Sequence, residues 1–184
     1  MQGDASETGV VKFVQTLNDI EETRATYSVH NYIDNNTRVQ VDCAIPFSSE
    51  IKFNLFVRDM RADASGHMSV IMKGAPERIL NRCSNILING KVVPFNGDLQ
   101  ALVNAANDEC GQMGERVLAI ARYDLEPEWY PENYQFDVKG WKNWKEIKQR
   151  DPAIEGWFPM FGLTLIGLIA LNDPPRPNFD RSVL

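Results

Sequence analysis

Two periods organise the hydrophobic and polar positions of this chain. Val10, Val11, Phe13, Val14 and Leu17 recur at mostly three- and four-residue spacings. That pattern predicts an amphipathic helix over residues 4–17, with Asp4 or Ser6 as its cap. Between residues 37 and 59 the period falls to two. Val39, Val41 and Cys43 alternate with polar residues, and Ile51, Phe53, Leu55 and Val57 do so again beyond Pro46-Phe47-Ser48-Ser49-Glu50. Two strands with a short connection are expected there. Residues 61–66 read as a polar turn and 67–73 as a third strand. Pro76 suits a first helical turn, where its missing N–H costs nothing, and Glu77 complements the helix dipole. A short helix is therefore predicted over residues 76–83.

Asn89-Gly90 lies between Ile86–Ile88 and Lys91–Val93 and is a strong hairpin signal. Residues 98–113 read as a helix with Leu99, Leu102, Val103, Ala106 and Cys110 on one side, closed by Gly114, and 117–123 return as a strand. Residues 124–156 carry Pro127, Pro131 and Pro152 and lack a clear period. Within them Trp141, Trp144 and Ile147 are each followed by a lysine, which predicts a short basic amphipathic helix, read as a surface insertion rather than a docking helix. The uncharged run from Trp157 to Leu171 is fifteen residues long. A bilayer span needs roughly 20 apolar residues, so the run is assigned as buried strand, formed over residues 161–171. Strands interleave with helices, but several joins are hairpin-like. The expected fold is therefore α+β, a mostly antiparallel β-sheet flanked by helices.

Composition changes this picture little. The chain has 184 residues, 43% of them hydrophobic and 24% charged, the make-up of a folded domain. Its formal net charge of −6 argues against general nucleic-acid binding, whose electrostatic footprint is basic. Three widely spaced cysteines, Cys43, Cys83 and Cys110, fit neither a disulfide framework nor a CxxC metal site and read as buried free thiols. The start, Met1-Gln2-Gly3-Asp4, offers neither the charged start nor the apolar stretch of a signal peptide.

Common chemical signatures are missing. The sequence has no GxxxxGK phosphate loop, GxGxxG, HExxH or GxSxG, and its two histidines, His30 and His67, are far apart. Instead, Lys73-Gly74-Ala75-Pro76-Glu77, between a predicted strand and helix, resembles the KGAPE motif of P-type ATPase nucleotide-binding domains. Further blocks follow that family's order. Gly3-Asp4-Ala5-Ser6-Glu7 resembles GDASE, and Ile45-Pro46-Phe47-Ser48-Ser49 with Lys52 resembles the IPF(N/S)S…K segment. Gly114-Glu115-Arg116-Val117-Leu118 resembles GERVL, and Asp173-Pro174-Pro175-Arg176 resembles the DPPR hinge to the phosphorylation domain. The wording is closest to the sodium/potassium and proton/potassium pump branch.

The resemblance implies an ATP pocket. Phe47, after a proline at a strand edge, corresponds to the phenylalanine that stacks on adenine. Lys73 corresponds to the pocket lysine, with Gly74 beside it allowing close backbone approach. Glu7 corresponds to the acid that accepts from the adenine amino group, and Arg116 to the arginine reaching the phosphates. Lys52 stands near the same mouth. Asn54 stands where the family has glutamine, one methylene longer. The hinge residues Asp173, Pro174, Pro175 and Arg176 are expected to serve domain closure.

On this reading residues 3–171 form an ATP-binding N domain and 172–184 the hinge and start of a phosphorylation domain. The implied setting is the cytoplasmic domain of an integral membrane cation pump. ATP is the substrate, Mg2+ acts only in the complete pump, and the phosphorylation and actuator domains are partners. The DKTGT aspartate that accepts the phosphoryl group is absent, as are the actuator's TGE and every membrane helix. The chain is thus expected to be a cut fragment and monomeric, with no catalytic or metal-binding residue of its own, binding ATP without hydrolysing it. A competing expectation is a non-catalytic interaction module that kept the fold and lost nucleotide affinity. A free-standing enzyme is poorly supported, because no acid/base or nucleophile constellation is visible.

Overall fold

The computed structural model describes residues 5–34, 36–62, 66–143, 147–148 and 154–172. The chain opens with helices α1 (Ala5–Gln15) and α2 (Ile20–Thr26), then strands β1 (Asn31–Ile33), β2 (Gln40–Asp42), β3 (Ala44–Ile45), β4 (Phe53–Asp59) and β5 (Met68–Gly74). Helix α3 (Pro76–Ile79) runs through a 3-10 turn, Leu80–Arg82, into β6 (Cys83–Ile88) and β7 (Lys91–Pro94). Helix α4 (Gly97–Gln112), β8 (Arg116–Asp124) and β9 (Leu163–Leu171) follow.

A seven-stranded sheet in the order β3-β4-β5-β8-β9-β6-β7 forms the body, with β1 and β2 as a separate two-stranded ribbon. Its neighbours are antiparallel except β6 and β9, which run parallel. The expected α+β class with a mostly antiparallel sheet is therefore what forms. The Asn89-Gly90 hairpin also forms: both residues have positive φ (49° and 76°), as a type I′ turn requires. Asn96 caps α4 by accepting from Leu99 N at 3.1 Å, and Gly114 at φ 75° releases the chain into β8.

One sheet face carries the core. Phe53, Leu55 and Val57 of β4, Val70 and Met72 of β5, and Ala119 and Ala121 of β8 are buried there in one cluster. Leu125, Tyr130, Phe136, Trp157 and Phe158 belong to the same cluster. Phe136 sits 4.7 Å from Tyr134 and from Phe158 between ring centroids. The proline-interrupted stretch therefore supplies the second layer of the core. Trp141 is buried edge-on to Phe53 within a 3-10 turn, Trp141–Asn143, rather than on the predicted helix. Residues 144–146, including Trp144, lie outside the described residues.

Several expected boundaries shift for local reasons. The apolar run from Trp157 is coil up to Phe161, buried through Trp157–Met160, and only residues 163–171 are strand. Ile166 on that strand is exposed, so the strand is not buried throughout. The predicted strand over residues 37–43 shortens to β2, and the chain crosses to the main sheet at Ala44. The helix after Pro76 tightens to 3-10 geometry at Leu80, and Cys83 already pairs as strand. Helix α1 begins at Ala5, so Ser6 lies within it, and Asp4 lies outside the described residues. Phe13 and Leu17 of its predicted apolar stripe are exposed, as is Leu102 on α4. Helix α2 is unforeseen. Asp19 caps it, accepting from Glu21 N at 2.8 Å and Glu22 N at 3.1 Å. Among the described residues no helix is long and apolar enough to cross a membrane.

Candidate functional site

The site grows from the β4–β5 ladder. Asn54 pairs with Lys73, and opposed residues of an antiparallel ladder share a face, opposite to the Phe53–Leu55–Val57 core face. Continuing the row, Lys73 pairs with Ile120 on β8. On the other side the β3–β4 pairing ends at Ile45 with Leu55, so Pro46 is the next residue beside Asn54. Phe47 follows and is 57% exposed. Phe47 is therefore not part of the core.

Helix α1 brings a carboxylate to the same face. Lys73 Nζ donates to Glu7 Oε1 at 3.0 Å, with the two side chains 26% and 41% exposed. Asn54 is only 6% exposed, and its Oδ1 has no hydrogen-bond partner among the described residues. An unpaired buried acceptor costs about 1–3 kcal/mol, and such groups concentrate where a ligand or water completes the set.

The turn between β3 and β4 is held tightly. Lys52 N donates to Ser48 O at 2.8 Å, and Lys52 O accepts from Ala75 N at 2.9 Å. Lys52 sits at φ 58°, an uncommon left-handed conformation for a residue with a Cβ. Gly74 explains how the two segments come so close. A Cβ on it would stand 2.4 Å from Lys52 O and 2.6 Å from Phe53 Cα. The close approach that Gly74 permits here is thus to the protein's own backbone.

Arg116 is exposed at the start of β8. Gly74 pairs with Ala119, so β8 continues past the end of β5, and Arg116 reaches a cleft of about 710 Å³ shared with Pro76, Glu77, Asp108 and Glu115. Glu77 links this cleft to the turn, because Lys52 Nζ lies 3.4 Å from Glu77 Oε1. The structure therefore joins Glu7, Asn54, Lys73, Gly74 and Lys52 by register and hydrogen bonds, with Phe47 at their edge and Arg116 in the adjoining cleft. Asp173, Pro174, Pro175 and Arg176 lie outside the described residues. Sequence reasoning gave Glu77 only a helix-dipole role. Its sole signal was its place in the Lys73–Glu77 string. Among the described residues no group of three His, Cys, Asp or Glu side chains could hold a metal ion.

This is a charged, aromatic-edged site on a mostly antiparallel sheet, built from the same sequence blocks that suggested its class. Residues 1–178 match the model of the P-type ATPase cytoplasmic domain N, and the chain belongs to that family. Among its relatives, the sodium/potassium-transporting ATPase subunit alpha of Hydra vulgaris is 37% identical over 174 residues, 95% of this chain and 14% of the relative. The corresponding alpha-A subunit of Artemia franciscana is 38% identical over 176 residues, 96% of this chain and 15% of the relative. The potassium-transporting ATPase alpha chain 2 of Homo sapiens is 35% identical over 182 residues, 98% of this chain and 15% of the relative. The chain thus spans about one-seventh of the length of these relatives. It is similar to the cytoplasmic N domain of cation pumps of the sodium/potassium and potassium branch.

Proposed function

We propose that this chain binds ATP as the nucleotide-binding domain of a cation-transporting P-type ATPase. The observation that carries the reading is the exposed Phe47 ring at the edge of the row Asn54–Lys73, with Glu7 drawn to that row by its ion pair. Phe47 stacks on the adenine, and Glu7 accepts from its amino group. Lys73 serves the ring face and the phosphates, and Asn54 offers a buried acceptor beside it. Lys52 and Arg116 meet the phosphate chain, where arginine's forked donors suit planar oxygens. Gly74 acts indirectly, by letting the turn that carries Lys52 close on β5.

Residues 3–171 are the binding unit, and 172–184 are the hinge and the start of the phosphorylation domain. In the parent pump, closure at this hinge brings the γ-phosphate to an aspartate outside this chain. The phosphorylation and actuator domains complete the cycle there, together with Mg2+. The domain's share is positioning and charge handling, which is most of what phosphoryl transfer asks of a protein. By itself the chain binds nucleotide and does not hydrolyse it. One stacked base and a few polar contacts suggest a dissociation constant on the order of 0.1–1 mM, the upper end being about −4 kcal/mol.

The test is an amide NMR titration with ATP, AMP and GTP on the 184-residue chain and its Phe47→Ala variant. Saturable shifts around Glu7, Phe47 and Lys73 are expected, similar for ATP and AMP, weaker for GTP and lost in the variant. A folded chain that shows no saturable shifts with any of the three is not a nucleotide-binding domain in working form.

A further inference from the structure

We infer that Glu77 tethers Lys52 and thereby limits how strongly the site prefers a triphosphate over an uncharged nucleoside. The inference rests on the adenine-nucleotide reading above. Lys52 Nζ lies 3.4 Å from Glu77 Oε1, with the side chains 51% and 59% exposed. Both backbones are fixed. Lys52 is pinned by its bonds to Ser48 O and Ala75 N, and Glu77 follows the buried Pro76 in the first turn of α3. Only the two side chains are left to exchange partners.

Glu77 also lines the cleft that holds Arg116. It touches one of the two cations assigned to the phosphates and shares a wall with the other. A polyphosphate that engages Lys52 must replace Glu77 as its counter-ion. Adenosine carries no phosphate and does not meet this cost. Exposed ion pairs are weak, so the exchange is easy and its effect is a matter of a few-fold.

The experiment compares dissociation constants for ATP and for adenosine across the wild-type chain, Glu77→Gln, Glu77→Asp, Lys52→Met and the Lys52→Met/Glu77→Gln double variant, each checked for a native amide spectrum. Glu77→Gln is expected to tighten ATP about threefold, the size of one unit charge removed from a screened, solvent-exposed pair, with adenosine unchanged. Glu77→Asp keeps the charge but draws the carboxylate back from Lys52, so it shifts the ATP-to-adenosine ratio in the same direction. With Lys52→Met in place, the Glu77→Gln gain on ATP shrinks to little or nothing. An equal gain with and without Lys52 shows general charge removal and overturns the tether. Adenosine binding with a ratio unmoved by either Glu77 variant overturns it too. Failure of the folded wild-type chain to bind adenosine overturns the pocket reading, and this inference with it.

Discussion

Lys73 Nζ lies 3.0 Å from Glu7 Oε1, across a sequence separation of 66 residues, and so joins the end of β5 to the first turn of α1. Before any ligand arrives, the cation and the carboxylate assigned to opposite ends of the adenine chemistry satisfy each other. A half-exposed pair of this kind contributes about 0–1 kcal/mol. Lys73→Met should therefore lower the urea-derived unfolding free energy by less than about 1 kcal/mol. It should weaken ATP about 3- to 30-fold, the range of a lost cation–π contact with a ligand ring. Equal losses of stability and affinity would mean that the pair serves the fold and not the ligand.

Truncating Phe47 distinguishes a pocket ring from a core ring. The residue is 57% exposed, on a turn whose backbone is bonded through Ser48 and Ala75. Phe47→Ala should change stability by no more than about 0.5 kcal/mol, as exposed substitutions do. The same variant should weaken adenosine and ATP alike by the stacking term, about 1–3 kcal/mol. A destabilisation of about 3–5 kcal/mol, the cost of emptying a core phenylalanine site, would move Phe47 out of the pocket.

Elements whose geometry is decided by a few neighbouring residues were legible in the sequence. Asn89-Gly90 demands a type I′ turn, and Gly114 closes α4 just beyond Gln112. The ordered blocks around Glu7, Phe47, Lys73 and Arg116 pointed to the family, and the residue match over 1–178 shows it. Long-range packing was not legible. Leu125, Tyr130 and Phe136 join the core from a stretch with no period, because coil side chains point wherever the opposing sheet accepts them. Helix α2 escaped because its one buried residue, Ile20, makes no stripe, although Asp19 with Glu22 is a capping signal. The Lys52–Glu77 contact was equally silent. It depends on a left-handed Lys52 and on Gly74, which local pattern does not connect.

Gly74 should prove necessary to the fold first and to the ligand through the fold. An added Cβ would overlap Lys52 O at 2.4 Å and Phe53 Cα at 2.6 Å, and neither is a flexible side-chain end. Gly74→Ala must push β4 and the Lys52 turn away from β5, at an expected cost of about 2–3 kcal/mol. Thermal unfolding measures that cost directly. A variant as stable as the wild type but unable to bind ATP would show that the glycine is there for the nucleotide alone.

The buried thiols should make stability fall at alkaline pH. Burial pushes Cys43 and Cys83 up to about 12 from an ordinary value near 9.0. Cys83 Sγ also donates to Ile79 O at 3.3 Å, a contact its thiolate would lose. The native state thus holds two protons that the unfolded chain releases once pH exceeds about 9. Stability from this source is fully present below pH 9 and is lost as pH rises toward 12. The urea midpoint should therefore change little from pH 7 to 9 on their account and fall above it. A Cys43→Val/Cys83→Ala variant, with a lower midpoint throughout, should show a shallower alkaline decline. The two thiols should also resist iodoacetamide at pH 8 until urea unfolds the chain, while the half-exposed Cys110 reacts first. If the alkaline decline is as steep without both thiols, the limit lies in other groups, and the buried cysteines are only packing.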